Sequence, residues 1–359
     1  MDWTRARRVR QEIYYVCHRG LDSQALAHEM QRLVGTVIPF DLSCWHPTDP
    51  ATGLIAGGIF EIPPALTFRL SEIEFFEEDF NSLVDLAGRR CPVGILREET
   101  GGQLDRSTRY REILQPIGLE EELRAVFMTR SGTWAVAGLF RQRGSRAFTA
   151  EEARFMTGIV GMVAEGFRSA LLISTTGTDQ EAEAPGLVLF NPDGTVHDIS
   201  PTATRWLTEL HDGLERPTLL PIQVEQVAAA TRAAIQRGSP DRGARARVLT
   251  KSGRWLELHG TNLGGGAGTA VIIEAAAPAA VAPLLVEAYG LSDRERQIVA
   301  LILRGASTQE IAHRLCLSPL TVQDHLKAIF DKMGVRSRQR IAGRIFFDHY
   351  FPVLFDEKR

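Results

Sequence analysis

Residues 318–335 read "SPLTVQDHLKAIFDKMGV", and their polar side chains recur at helical spacing. At 3.6 residues per turn, Val322, Leu326, Ile329, Phe330 and Met333 share one face. The opposite face carries Leu320, Asp324, Lys327, Ala328 and Asp331, with Thr321 and Gln323 at its flanks. The amide of Gln323 has the donor and acceptor needed to pair with adenine. The carboxylate of Asp324 can accept from the amino group of cytosine, and Lys327 can donate to a base edge. Thr321, His325, Lys332, Arg336 and Arg338 are of types that bind phosphate oxygens. This is recognition chemistry: the chain shows neither the spacing of a catalytic triad nor a metal-ligand cluster.

Such a face works only if other elements hold it. "LSDRERQIVALILRG" opens with Ser292 and Glu295, the S-x-x-E spacing of a capping box, and Gly305 stops the helix. Ile298, Leu301 and Ile302 form its apolar stripe. "STQEIAHRL" repeats the device with Ser307 and Glu310, and turns Ile311, Ala312 and Leu315 inward. Ser318 caps the next helix, with Pro319 at the first position, where a missing N–H is harmless. A short helix, a tight turn and a longer helix make a helix-turn-helix.

Charge points the same way. Residues 291–346 contain ten Lys/Arg and five Asp/Glu, a local balance of +5; with −3 for the whole chain, the remainder carries −8. A basic end on an acidic body suits nucleic-acid binding by one domain.

The stretch "LSDRERQIVALILRGASTQEIAHRLCLSPLTVQDHLKAIFDKMGVRSR" resembles the DNA-binding domain of the LuxR (GerE-like) transcription regulators. The resemblance implies an all-α, four-helix domain that binds double-stranded DNA as a homodimer and contacts RNA polymerase. It makes the third helix the base reader, and a fourth helix, about Ser337 to Tyr350, much of the dimer contact. Two positions depart from the usual pattern: the residue after Thr321-Val322 is commonly Lys in the family and is Gln323 here, and the next position, which varies in the family, is Asp324 here. Losing a Lys removes roughly one phosphate contact per monomer. The operator changes, not the fold.

Two breaks divide the chain. "STTGTDQEAEAPG" at 174–186 is small, polar and acidic, and "EAAAPAAVAP" ends near 283. We expect domains at 1–173, 187–274 and 284–350, linkers at 174–186 and 275–283, and a tail at 351–359. In the first domain, periodicity predicts a helix in "SQALAHEMQRLVGTVI", strands in "FDLSCWHP" and "GLIAGGIFEI", and a helix in "EFFEEDFNSLVDLAG". A hairpin should turn at Ser131-Gly132, and a long helix should follow with Thr149 and Glu152 as its capping box. This α+β layout resembles a GAF domain, most closely in "GTWAVAGLFRQRGSRAFTAEEARFM". The second domain reads strand, Asn191-Pro192-Asp193-Gly194 turn, strand, helix from Ser200, helix ending at Gly238, then three strands. That α+β order resembles a PAS domain, on the Asp193-Gly194 and Ser252-Gly253 turns. Both resemblances imply small-molecule pockets or dimer surfaces.

Of 359 residues, 44% are hydrophobic and 24% charged, which excludes a disordered or fibrous chain and calls for two or three cores. Cys17, Cys44, Cys91 and Cys316 form no C-x-x-C pair, so we expect reduced, mostly buried thiols. "MDWTRARRVR" is followed by no apolar signal core, and "AVIIEAAAPAAVAPLLVEAYG" is interrupted by Glu and Pro. No membrane span is expected, and a cytoplasmic, nucleoid-associated bacterial protein is. "NLGGGAGTAV" lacks the Lys-Ser/Thr of a phosphate loop and reads as a hairpin, which also excludes the ATP-dependent branch of the LuxR regulators. Cys44-Trp45-His46 has no second ligand pair and reads as a strand with one buried and one outward face. Trp45, Phe60, Phe75, Phe127 and Trp134 fit core better than a ligand pocket. No acidic pair of a receiver domain is present, nor the aromatic-and-Asp pattern of a lactone binder. The expectation is therefore a sequence-specific regulator with no cofactor, in which the first two domains respond to an unidentified small molecule or partner. The competing reading is a signalling adaptor whose last helices bind protein.

Overall fold

In the computed structural model, the described residues are 1–173, 184–210, 220–239, 243–264, 268–276, 280–281, 284, 287–303, 305–338 and 340–341. They form two five-stranded antiparallel sheets, each with helices, followed by a helical unit.

The first sheet is built from β1 (Leu42–Pro47), β2 (Ile59–Phe60), β3 (Val93–Ile95), β4 (Leu119–Thr129) and β5 (Gly132–Gln142), in the order β2-β1-β5-β4-β3. Period-2 alternation sends Trp45, Leu123, Ala125, Phe127, Ala137 and Leu139 to one face. There they meet α1 (Trp3–Cys17), α2 (Ser23–Gly35) and the long α6 (Ala150–Ile173). The Thr149 capping box is formed: Glu152 accepts from the Thr149 backbone N–H (2.9 Å), and the Glu152 N–H donates to the Thr149 hydroxyl (3.3 Å). Residues 150–172 are long and apolar enough to cross a membrane, but half of that stretch is buried among these elements, as in a core helix.

The opposite face is also covered, by α3 (Thr67–Phe76), α4 (Leu83–Gly88), α5 (Leu96–Glu99) and the turns of 104–117. The expected outward face of Cys44-Trp45-His46 is thus wrong: all three residues are buried. Two further expectations need correction. "GLIAGGIFEI" contributes only Ile59–Phe60 as strand, because Gly57 and Gly58 take positive φ, and a side chain on Gly58 would strike the Trp45 carbonyl. "EFFEEDFNSLVDLAG" is the end of one helix and the whole of another; Glu77 is extended, and Asn81 has φ 55°. Of the cysteines, Cys17 and Cys44 are buried, whereas Cys91 and Cys316 are exposed.

The second sheet comprises β6 (Gly186–Phe190), β7 (Val196–Ile199), β8 (Arg245–Leu249), β9 (Trp255–Asn262) and β10 (Thr269–Ala275), ordered β7-β6-β10-β9-β8. Val188, Val248, Leu258 and Val271 pack under α7 (Pro201–Leu210) and α8 (Ile222–Gln236). Helix α8 also packs on α3 of the first unit. Across that junction the Gln226 amide oxygen accepts from the Ile55 N–H (3.0 Å), Arg247 pairs with buried Asp49 (2.6 Å), and Arg232 pairs with Glu72. Phe75 packs on the second core, while Trp45, Phe127 and Trp134 lie in the first. Most of the acidic segment at 174–186 lies outside the described residues.

Candidate nucleic-acid interface

The C-terminal unit contains α9 (Asp293–Leu303), α10 (Thr308–Arg314) and α11 (Pro319–Met333). Each starts where its cap dictates. Ser292 N–H donates to Glu295 (2.7 Å), and the Glu295 N–H donates to the Ser292 hydroxyl (3.3 Å). Ser307 and Glu310 repeat the box, and the Ser318 hydroxyl accepts from the Thr321 N–H (3.0 Å). Each such cap stabilises its helix by about 1 kcal/mol. Between α10 and α11, Cys316 adopts φ 52°, which bends the chain sharply enough for the two helices to cross. Gly334, at φ 63°, ends α11.

Two cationic ties hold the helices in register. Arg294 donates to the Leu315 carbonyl (2.7 Å), satisfying the end of α10 from the start of α9. Lys332 pairs with the capping carboxylate Glu295 (2.6 Å), joining the end of α11 to the start of α9. Burial alone would raise the Glu295 carboxyl; Lys332 and the Ser292 backbone N–H hold it below the ordinary carboxylate range. Beneath these ties Val322, Leu326, Ile329 and Met333 pack with Ile298, Ile302, Ile311 and Ile341.

That packing decides which way α11 faces. Gln323, Asp324 and Lys327 are exposed together on its N-terminal half, as are Asp331 near its end and Arg336 just beyond it. Thr321, His325 and Arg338 are half-buried at the edges. The Thr321 hydroxyl lies 2.8 Å from that of Ser318, so it belongs to the cap as well as to the outer face. Lys332 is engaged with Glu295, which makes it the weakest of the phosphate candidates. Arg338, with Arg314, lies close enough to add to the lowering of the Glu310 carboxyl, which the Ser307 backbone N–H chiefly causes. Reasoning from spacing set Leu320 on the outer face without a role. The structure leaves it 68% exposed beside Gln323 and Asp324, a rare position for a large aliphatic side chain with nothing to cover it. Much of the expected fourth helix, and the tail, lie outside the described residues.

A capped three-helix unit with a polar N-terminal face on its last helix defines a helix-turn-helix DNA-binding module. Residues 290–344 match the profile of the bacterial regulatory proteins of the luxR family. The spore germination protein GerE of Bacillus subtilis is 36% identical over 50 residues, 14% of this chain and 68% of that protein. The chain belongs to this family, and the match lies in its C-terminal helical unit. An HTH-type transcriptional regulator of Mycobacterium tuberculosis, Rv0890c, is 43% identical over 51 residues. The match spans 14% of this chain but only 6% of that protein, so the likeness is confined to the helical unit. Among solved structures, a Vibrio cholera VqmA–ligand–DNA complex aligns with 48% of this chain and 85% of its own, at 18% identity and a TM-score of 0.21. That superposition is too loose to bear on ligand or assembly.

Proposed function

We propose that the protein binds specific double-stranded DNA sites as a homodimer, with α11 in the major groove. Gln323, Asp324 and Lys327 would read bases, and Leu320 would add apolar contact with a thymine methyl. Thr321, His325, Arg336, Arg338 and, on release from Glu295, Lys332 would hold phosphates. The observation that carries this reading is the joint exposure of Gln323, Asp324 and Lys327 on a helix whose other face is locked into a core. Asp324 repels phosphates, so non-specific binding is weak until a matching base offsets the repulsion.

The two sheet units we read as GAF-like (1–173) and PAS-like (187–274) sensory domains, joined through 174–186 and 275–283 to the DNA-binding domain at 284–350, with a tail at 351–359. Antiparallel five-stranded order with helices packed on the sheets supports this. A small molecule or partner would favour one arrangement of these units. That would set whether two copies of α11 reach half-sites one DNA turn apart. The protein would act in the cytoplasm at the nucleoid, beside RNA polymerase.

Selection of full-length protein on randomised duplexes, followed by footprinting, tests the reading. We expect one enriched site, protected as a two-fold pattern, with affinity falling steeply as salt rises. Binding that is independent of both sequence and salt would refute it. Asp324→Ala should tighten binding to random DNA and relax base preference at one position. Loss of all binding by a folded Asp324→Ala chain would refute the role given to that carboxylate.

A further inference from the structure

The second face of the first sheet lines a partly open cavity of about 50 Å³, with Cys44, His46, Phe60, Ile62, Leu114 and Val136 in its wall. Its charged neighbours are already paired. Arg109 is held by Glu122 (2.8 and 2.9 Å), and Arg124 by Glu74 (3.1 Å) and the Asn81 carbonyl (2.9 Å). His46 differs. It is 4% exposed, and its Nδ1 lies 2.9 Å from the Gly57 carbonyl. A carbonyl only accepts, so Nδ1 carries the ring proton and Nε2 is a bare acceptor. That Nε2 is buried and meets no protein donor. Burial pushes the His46 pKa down to about 4, so the ring is neutral near pH 7. An orphaned buried acceptor at a cavity wall is costly unless something donates to it. The wall has a second feature: Ile222 and Gln226 of α8, from the other sheet unit, complete it, and Gln226 is tied to Ile55 across the junction.

We propose that this cavity takes a small, uncharged, mostly apolar molecule with one O–H or N–H that donates to His46 Nε2, and that α8 reports its occupancy. The volume has room for roughly four waters, far too little for a nucleotide. A charged ligand would have to displace an internal ion pair, whereas a compact alcohol would disturb none. Because α8 forms one wall, filling the cavity stiffens the contact between the two sheet units. The proposal rests on the sensory reading only in linking that stiffening to DNA binding.

Cyclobutanol and cyclobutanone test it on the full-length chain, being equal in heavy atoms but differing in the donor. Ligand-observed NMR titration should show cyclobutanol binding at least about fivefold tighter. Amide exchange over 222–236 should slow when it binds. His46→Leu should abolish the preference, and His46→Gln, which restores an acceptor, should retain it. If His46→Leu does not fold, the alcohol–ketone pair on the unaltered chain decides alone. Equal affinity, or tighter ketone binding, overturns the donor requirement. No binding of either probe overturns the site and leaves a buried water as its occupant. Binding that leaves exchange in α8 unchanged overturns the role of that helix. A chain that binds cyclobutanol as expected but whose operator affinity does not respond keeps the site and refutes the sensory reading.

Discussion

The outer face of α11 and the inner face of the first sheet both collect charged and polar side chains, under opposite conditions. On α11, Gln323, Asp324 and Lys327 stand in water and are spared any need for a fixed partner. On the sheet, Glu122 and Arg124 project from β4 into a closed layer, so each must be matched: Glu122 by Arg109, Arg124 by Glu74. Burial would lower the Arg109 pKa, but Glu122 beside it raises it, so the guanidinium stays charged. Exposed groups are available to a partner because solvent already satisfies them. Buried groups are structural unless one is left over, as His46 Nε2 is at a cavity wall. Polarity alone therefore says little about binding; polarity weighed against burial says where a ligand belongs.

The sharpest way to break this contrast is to unpair a buried charge. Arg109→Met should cost about 3–5 kcal/mol in urea denaturation, because Glu122 is left buried and charged. Arg109→Met combined with Glu122→Leu should recover most of that loss. If Arg109→Met costs no more than a surface change, the buried face is wetter than described. Gln323→Ala should next lose about 1–3 kcal/mol of discrimination at one base pair, read by competition binding with single-base operator variants, and leave stability unmoved.

Glu225, buried on α8, probes the junction between the two sheet units. Burial pushes its carboxyl up to about 8, with the Thr67 hydroxyl acting the other way. Its folded pKa exceeds the unfolded value near 4.5, so between these pH values the folded state holds a proton that the unfolded state lacks. Stability from this group is therefore full below about pH 4.5 and falls as pH rises toward 8. Glu225→Gln should flatten that decline, raising the melting temperature at pH 8 and barely changing it at pH 4.5. The smallest effect belongs to Lys327→Ala, which should weaken binding to all duplexes alike or at one base. A reduction of about one in the salt slope per monomer would assign it to phosphate, and a base-specific loss would assign it to readout.

Much of the helical unit is legible from residue order, because its signals are local. Ser292, Ser307 and Ser318 each bond within three residues, and Val322, Leu326, Ile329 and Met333 report their face by spacing alone. Legibility falls where a segment answers to distant neighbours. "GLIAGGIFEI" has an apolar strand pattern, yet the approach of Gly58 to the Trp45 carbonyl bends most of it out of the sheet. Helix 67–76 ends at Glu77, and 83–88 starts at the Ser82 cap, a break hidden inside an unbroken helical pattern. Cys44 and His46 read as outward because β1 alternates, and nothing nearby announces the second layer that covers them. Engagement of Lys332 by Glu295, 37 positions away, was equally invisible.

Residue order by itself determined where each helix of the DNA-binding unit starts, which face of α11 turns outward, and that the unit is basic on an acidic body. These follow from hydrogen bonds and periodicities closed within one or two turns of chain. Only the tertiary structure decided which charges are spent internally, that both faces of the first sheet are buried, and that His46 faces a cavity walled by a helix nearly 180 positions later in the chain. Those outcomes depend on desolvation, and desolvation is set by whatever packs from far along the chain, not by a residue's own neighbours.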